Sequence, residues 1–239
     1  MIPDAATVVL LRDGPRGLET FLLRRAATMA FAPRMHVFPG GRVDPRDFEQ
    51  SVTLIGSDVD VLAERASTDV AGVRALYACA VRETAEEAGI VLVERSAAGE
   101  LAVDVHRLPL MTHWVTPEGE VRRYDVRFFV AAVRGEGVRL TTTEADHAAW
   151  IRPSDALEAF GRGKLAMLAP TEAVLSRLGR FEDTGSALAD AASGTVVPLL
   201  PRRRADGSAW DLVHARTGQV VRADVRGPDR RETDGGVRP

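Results

Sequence analysis

Three glutamates stand in one run, Arg82-Glu83-Thr84-Ala85-Glu86-Glu87-Ala88-Gly89-Ile90. On a helix Glu83 and Glu87 are i and i+4, and Glu86 is i+3 from Glu83, which gathers three carboxylates on one exposed ridge. Like charges at that spacing destabilise a helix, and Arg82, four residues before Glu86, neutralises only part of the ridge. Hard divalent cations such as Mg²⁺ take carboxylate and water oxygens and usually arrive with substrate phosphates, so metal-assisted chemistry at a phosphate is the reaction class these residues suit. Taken alone, such a run is also the ordinary composition of a solvated acidic helix face. Upstream, Phe38-Pro39-Gly40-Gly41 ends a strand-like run on two glycines, where backbone can approach a ligand or metal closely.

Composition removes several alternatives. Cys79 is the only cysteine, so an internal disulfide, a redox motif and a thiolate zinc cluster are excluded. Thirty-four acidic against 31 basic residues give a net charge of −3, without the basic excess of a nucleic-acid binder. Lys164 is the only lysine, and biased codon usage is the ordinary reason for such an arginine preference. No run approaches the length of a membrane span, and Met1 to Leu11 lacks the plan of a signal peptide. A cytoplasmic protein with no nucleic-acid or membrane partner is therefore expected. The 239 residues correspond to between one and two domains at roughly 150 residues each.

The elements that must position these residues are partly legible. Thr7 to Arg12 and Thr20 to Arg25 read as two strands of a hairpin turned at Asp13 to Gly17. Arg34 to Phe38 reads as a third strand, entering a turn at Pro39 to Gly41. Residues 42–68 have no clean period and hold one short helix near Asp60 to Ala66. From Asp69 to Ala88 the apolar residues Val73, Leu76, Tyr77, Ala80, Val81, Thr84 and Ala88 recur at helical spacing, with Gly89 as the stop. Strands are expected at Ile90–Glu94, Leu110–Thr116, Val121–Val133 and His147–Arg152. Helices are expected from Pro153 to Phe160 and from Pro170 to Arg180. Past Phe181 the composition loosens. Val196–Leu200 and Ala209–Val213 read as an appended hairpin, and Gly227–Pro239 as a frayed polar tail.

Together these residues resemble the Nudix hydrolase family, whose box reads G-x5-E-x7-R-E-U-x-E-E-x-G-U with U aliphatic. Gly41 is followed by five residues and then Asp47, and Arg82 to Ile90 supplies the second half. Asp47 stands where the family has glutamate, and Thr84 where it has an aliphatic residue. Family spacing would put the arginine at position 55, so this box carries 27 extra residues. Loop closure cost grows slowly with length, which makes such an insertion tolerable. The insertion separates Asp47 from the helix, and no role is assigned to it.

The resemblance implies an α/β fold, a Nudix-type α/β/α sandwich with a mixed sheet and a small C-terminal β extension. Its expected bounds are 5–180 for the Nudix domain, with the insertion at about 48–68, and 181–239 for the extension and tail. It further implies that Glu83, Glu86 and Glu87 bind Mg²⁺ or Mn²⁺, that the Gly40 carbonyl adds a ligand, and that Arg82 orients a glutamate. The general base is Glu86 or a carboxylate from a separate loop, among which Glu144 is preferred to Glu118 and Glu120. The implied activity is hydrolysis of a diphosphate bond in a nucleoside diphosphate derivative.

The segments LLRRA through PRMHVFPGG, TPEGEVRRYDVRFFVA and TTTEADHAAWIRPSDALEAFGRGKLAMLAPT are similar to the acyl-CoA diphosphatase branch, which carries long box insertions. The short CoA motif before FPGG is only partly matched: Arg25 and Ala26 sit at expected positions, while Ala30 and Arg34 replace an arginine and a glycine. Arg25, Arg34 and Gly41 are the substrate-binding candidates, two guanidinium groups being suited to bidentate phosphate contacts. ADP-ribose or NADH is the alternative substrate, with Trp114, Tyr124 and Phe128 available to stack an adenine. A nucleotide-binding regulator without catalysis is the alternative of another class. The insertion is placed either to lid the site or to join a homodimer interface, and both stay open.

Overall fold

The computed structural model describes residues 2–29, 31–95, 100–133, 140–206 and 210–225; Ala30 and the expected tail Gly227–Pro239 lie outside them. The chain opens with strand β1 (Asp4–Gly14), β2 (Gly17–Arg25), β3 (His36–Val37) and β4 (Gly40–Arg42). The insertion holds helix α1 (Pro45–Glu49), β5 (Val52–Ile55) and helix α2 (Val59–Arg65), followed by the long α3 (Val70–Ala88). Next come β6 (Glu94–Arg95), β7 (Leu101–Asp104), β8 (Leu110–Val115), β9 (Asp125–Ala132) and β10 (Ala145–Ile151). The chain continues through α4 (Pro153–Gly161), α5 (Ala169–Leu178) and α6 (Thr184–Ser193), then β11 (Pro198–Arg203), β12 (Trp210–His214) and β13 (Val220–Val225).

The main sheet runs β10-β2-β1-β9-β8-β11-β12-β13. It is mixed: β1 is antiparallel to β2 and parallel to β9, while β8 is antiparallel to β9 and parallel to β11. β1 is buried on both faces. Ala6, Val8 and Leu10 point to the side covered by α3, and Val9 and Leu11 to the side covered by α4, α5 and α6. This alternation within an apolar run, buried on both faces, makes the three-layered α/β/α sandwich that the sequence implies. The C-terminal hairpin continues the main sheet through β8, and β5, β7 and β6 form a separate small sheet. Among the described residues no helix is long and apolar enough to cross a membrane.

Several expectations need correction. Pro39 to Gly41 is not a free turn. β1 and β2 pair at Leu11–Gly14 and then splay apart, and residues 36–42 wedge into the fork, β3 against β2 and β4 against β1. The insertion contains two helices and a strand instead of one helix; Leu62, Ala63 and Ala66 pack in the same core as α3. Ile90 to Val93 is not a strand, which starts only at Glu94, and Val91 is exposed. β7, α6 and β13 are not among the expected elements.

The wedge explains Gly40. A Cβ there would sit 2.5 Å from the Ala6 carbonyl oxygen and 2.6 Å from Thr7 Cα, both backbone atoms of β1 that cannot step aside. Gly40→Ala is therefore expected to lower unfolding free energy by about 2 kcal/mol or more, as overpacking against fixed atoms does. Urea denaturation measures it, and a loss below about 0.5 kcal/mol, the range of an ordinary surface change, would show that β4 can shift freely on β1.

Candidate active site

Helix α3 carries the acidic run at its last turns. The Asp69 side chain caps its start, accepting from Gly72 N–H at 2.7 Å, and Gly89 ends it in the left-handed conformation, φ 67°. Val73, Leu76, Tyr77, Ala80, Val81 and Ala88 are buried as their spacing predicts. Thr84 fills the aliphatic position by donating its hydroxyl to the Ala80 carbonyl at 2.7 Å, so the polar atom is satisfied inside the helix.

The ridge is graded instead of uniformly exposed. Glu87 is 8% exposed, Glu83 half-buried and Glu86 open to solvent. Glu87 reaches the wedge, where Gly40 N–H donates to its carboxylate at 2.8 Å. Burial nonetheless pushes its pKa up to about 7, the Gly40 hydrogen bond and Arg25 working against that and Glu83 and Glu144 adding to it. Burial likewise raises Glu83, opposed by its hydrogen bond from Arg82. Gly41 stands so close to Glu83 that a Cβ would meet its Oε1 at 2.2 Å. The two glycines thus serve different needs, Gly40 the packing on β1 and Gly41 the space taken by a carboxylate.

Arg82 is the hub. It donates to both oxygens of Asp47, Nε at 2.9 Å and Nη2 at 2.8 Å, and through Nη1 to Glu83 at 2.6 Å and Glu86 at 3.2 Å. The Asp47 hydrogen bonds do most to hold its pKa well above the ordinary arginine value. Asp47, to which the sequence assigns no role, is 3% exposed, accepts from Asp44 N–H at 2.8 Å and closes the capping box of α1. The insertion has not displaced it from the helix half of the box. Cys79, one turn before Glu83, is fully buried, and burial keeps its thiol protonated.

A second segment meets the ridge from β10. Thr141 donates its hydroxyl to the Glu86 carbonyl at 2.6 Å and its N–H to the Glu87 carbonyl at 3.2 Å, while Ala26 N–H donates to the Glu144 carbonyl at 2.8 Å. Residues 141–144 are thereby strung from the end of α3 to the end of β2, which brings the exposed Glu144 into electrostatic range of Glu87. Glu118 lies elsewhere, lining a cleft with His113, Arg123 and Arg216. Arg25 joins the same group, its Nε donating to the Phe31 carbonyl at 3.0 Å. Arg34, left-handed at φ 61°, is exposed, and its charge acts on Asp146, the partner of Arg24. Of the three aromatics expected to stack a base, Trp114 and Phe128 are core residues at 5% and 6% exposure. Only Tyr124 approaches the surface, edge-on to Phe31 with ring centres 5.9 Å apart.

The donor set suits a hard divalent cation: three carboxylates within the last two turns of one helix, two of them raised by burial. Among the described residues no three carboxylate, imidazole or thiol groups converge on one point as they stand, because Glu83 and Glu86 are turned onto Arg82.

A NUDIX domain model matches residues 1–171. Over 237 positions the chain is 24% identical to the acyl-coenzyme A diphosphatase NUDT19 of Gallus gallus, covering 70% of this chain and 63% of that protein. The protein of the same name from Xenopus laevis is 24% identical over 228 positions, covering 68% and 60% respectively. The chain therefore spans less than two thirds of the length of these curated relatives. Among solved structures, a NUDIX hydrolase from Alicyclobacillus acidocaldarius is 30% identical with a TM-score of 0.66, covering 81% of this chain and 98% of that one.

The buried pair between Asp47 and Arg82 makes a direct stability prediction. Asp47→Ala leaves a largely buried guanidinium without its bidentate partner and should cost about 3 kcal/mol. Chemical denaturation of the two proteins gives the value; a cost under about 1 kcal/mol, that of a surface pair, would mean that α1 is held on α3 by other contacts.

Proposed function

The chain belongs to the Nudix family, and from that premise we propose that it hydrolyses a diphosphate bond in a nucleoside diphosphate derivative, with coenzyme A or an acyl-coenzyme A as the favoured substrate. The observation that carries the reading is the presence of all three glutamates of the helix half of the box on one helix, with Arg82 tied to Asp47 across the insertion. The acyl-coenzyme A choice rests on the segments around the box and on the names of the two vertebrate relatives. A family member that only binds its ligand is expected to lose box carboxylates, and none is lost here.

In this reading Glu83, Glu86 and Glu87 hold Mg²⁺ or Mn²⁺, and the Gly40 carbonyl adds an oxygen. Bound there, the cation supplies polarisation of the phosphoryl oxygens and a lowered pKa for water. The remaining work belongs to the chain. Arg82 holds Glu83 and Glu86 in line along the helix. Glu144, strung over the ridge by Thr141 and Ala26, takes the proton of the attacking water; Glu86 is the other candidate. Arg25 is pinned through Nε, and its Nη groups, without a partner among the described residues, are free for bidentate contact with a substrate phosphate. Most of the rate enhancement in such a site comes from positioning and charge stabilisation.

With Mn²⁺ and a panel of CoA, acyl-CoA, ADP-ribose, NADH and nucleoside triphosphates, the purified protein is expected to turn over CoA or acyl-CoA best, giving 3′,5′-ADP and a phosphopantetheine product. Faster turnover of ADP-ribose at equal concentration would reverse the substrate assignment, and no turnover at all would sink the hydrolase reading. Glu87→Gln should lower kcat by about 100-fold or more with the fold intact by circular dichroism, the scale of removing a charge-stabilising group.

A further inference from the structure

Helix α1, which leads into the insertion, places one more cation against the ridge. Arg46, on α1, donates through Nη2 to Oε1 of Glu86 at 3.3 Å, while the other oxygen of Glu86 accepts from Arg82 at 3.2 Å. Each carboxylate oxygen of the exposed glutamate is thus held by a different guanidinium. The two are held very unequally. Arg82 is 16% exposed and locked to buried Asp47, whereas the Arg46 side chain is 58% exposed and has only a distant second contact, 3.9 Å to Asp44. Its position is nevertheless fixed, because its neighbours anchor the turn: Asp44 caps α1 and Asp47 clamps it to α3.

We propose that Arg46 is an exchangeable counter-ion for the active site. It neutralises Glu86 while no divalent cation is bound, gives up that carboxylate when the cation enters, and then turns its guanidinium to the substrate diphosphate. The inference rests on the diphosphatase reading given above. An exposed surface arginine suits the first duty because exposed ion pairs are weak and readily displaced. It suits the second because a divalent cation usually arrives with substrate phosphates, and arginine binds phosphate oxygens in a forked geometry. Arg82 cannot turn to the substrate in the same way, because its Nε and Nη2 are held by buried Asp47.

The test is Mn²⁺ binding by calorimetry or electron paramagnetic resonance on the full chain, without substrate, comparing wild type with Arg46→Gln and Arg46→Lys. Removing one positive charge a few ångströms from the ion should tighten Mn²⁺ binding by about three-fold at low ionic strength. The difference should fade in about 1 M salt, and Arg46→Lys should behave as wild type. At saturating Mn²⁺, Arg46→Gln should raise KM for the substrate found by the panel several-fold with a smaller change in kcat. Unchanged or weaker Mn²⁺ binding in Arg46→Gln would overturn the counter-ion role, and an unchanged KM would overturn the transfer to substrate. Absence of Mn²⁺ binding in the wild type is a distinct result, and it would strike the metal-dependent reading itself.

Discussion

Everything at the catalytic end of the fold depends on one buried ion pair. Asp47 and Arg82 are 35 residues apart, with β5 and α2 between their helices, yet they meet through two hydrogen bonds under 3 Å. That contact fixes α1 on α3, and through Arg82 it sets the positions of Glu83 and Glu86. A buried pair of this kind adds little net stability compared with apolar packing, but breaking one half is costly. Its value here is geometric: it holds two halves of a motif together across an intervening segment.

Helix α3 was legible in the sequence because it is long, periodic and capped at both ends by residues with one obvious use, Asp69 and Gly89. The β1–β2 hairpin was legible for similar reasons. The elements that escaped are short or weakly apolar. α6 buries little besides Ala187 and Ala191, side chains too small to give a strong period, and its one clear signal is the Asp183 cap. β5 and β7 have four residues each and pair with one another in parallel, a contact that no local pattern announces.

For the site, residue types and helical spacing identified the glutamates, but not their environments. Spacing alone gives three equivalent exposed carboxylates; the fold makes them a series from buried to open, because the wedge of residues 36–42 presses Gly40 onto Glu87 while leaving Glu86 at the rim. Asp47 was hidden by its distance in sequence, and Thr141 by lying in a polar stretch with no period. Trp114 and Phe128 misled because an aromatic in a strand looks the same whichever layer it faces.

The insertion is pinned at its far end as well as its near one. Buried Arg127 donates to the Ala66 carbonyl at 3.0 Å and pairs with Asp4 and Asp125, and Arg216 from the β12–β13 turn donates to the carbonyl of Ser67. With the near end held on α3 and the far end on the sheet, the stretch around Gly56 can change length without moving the helix that follows, since doubling a flexible loop costs only about 0.6 kcal/mol. In engineering terms the segment is a graft point: foreign sequence placed there would sit on the catalytic layer while the register of the active-site helix stays under the control of the two anchors.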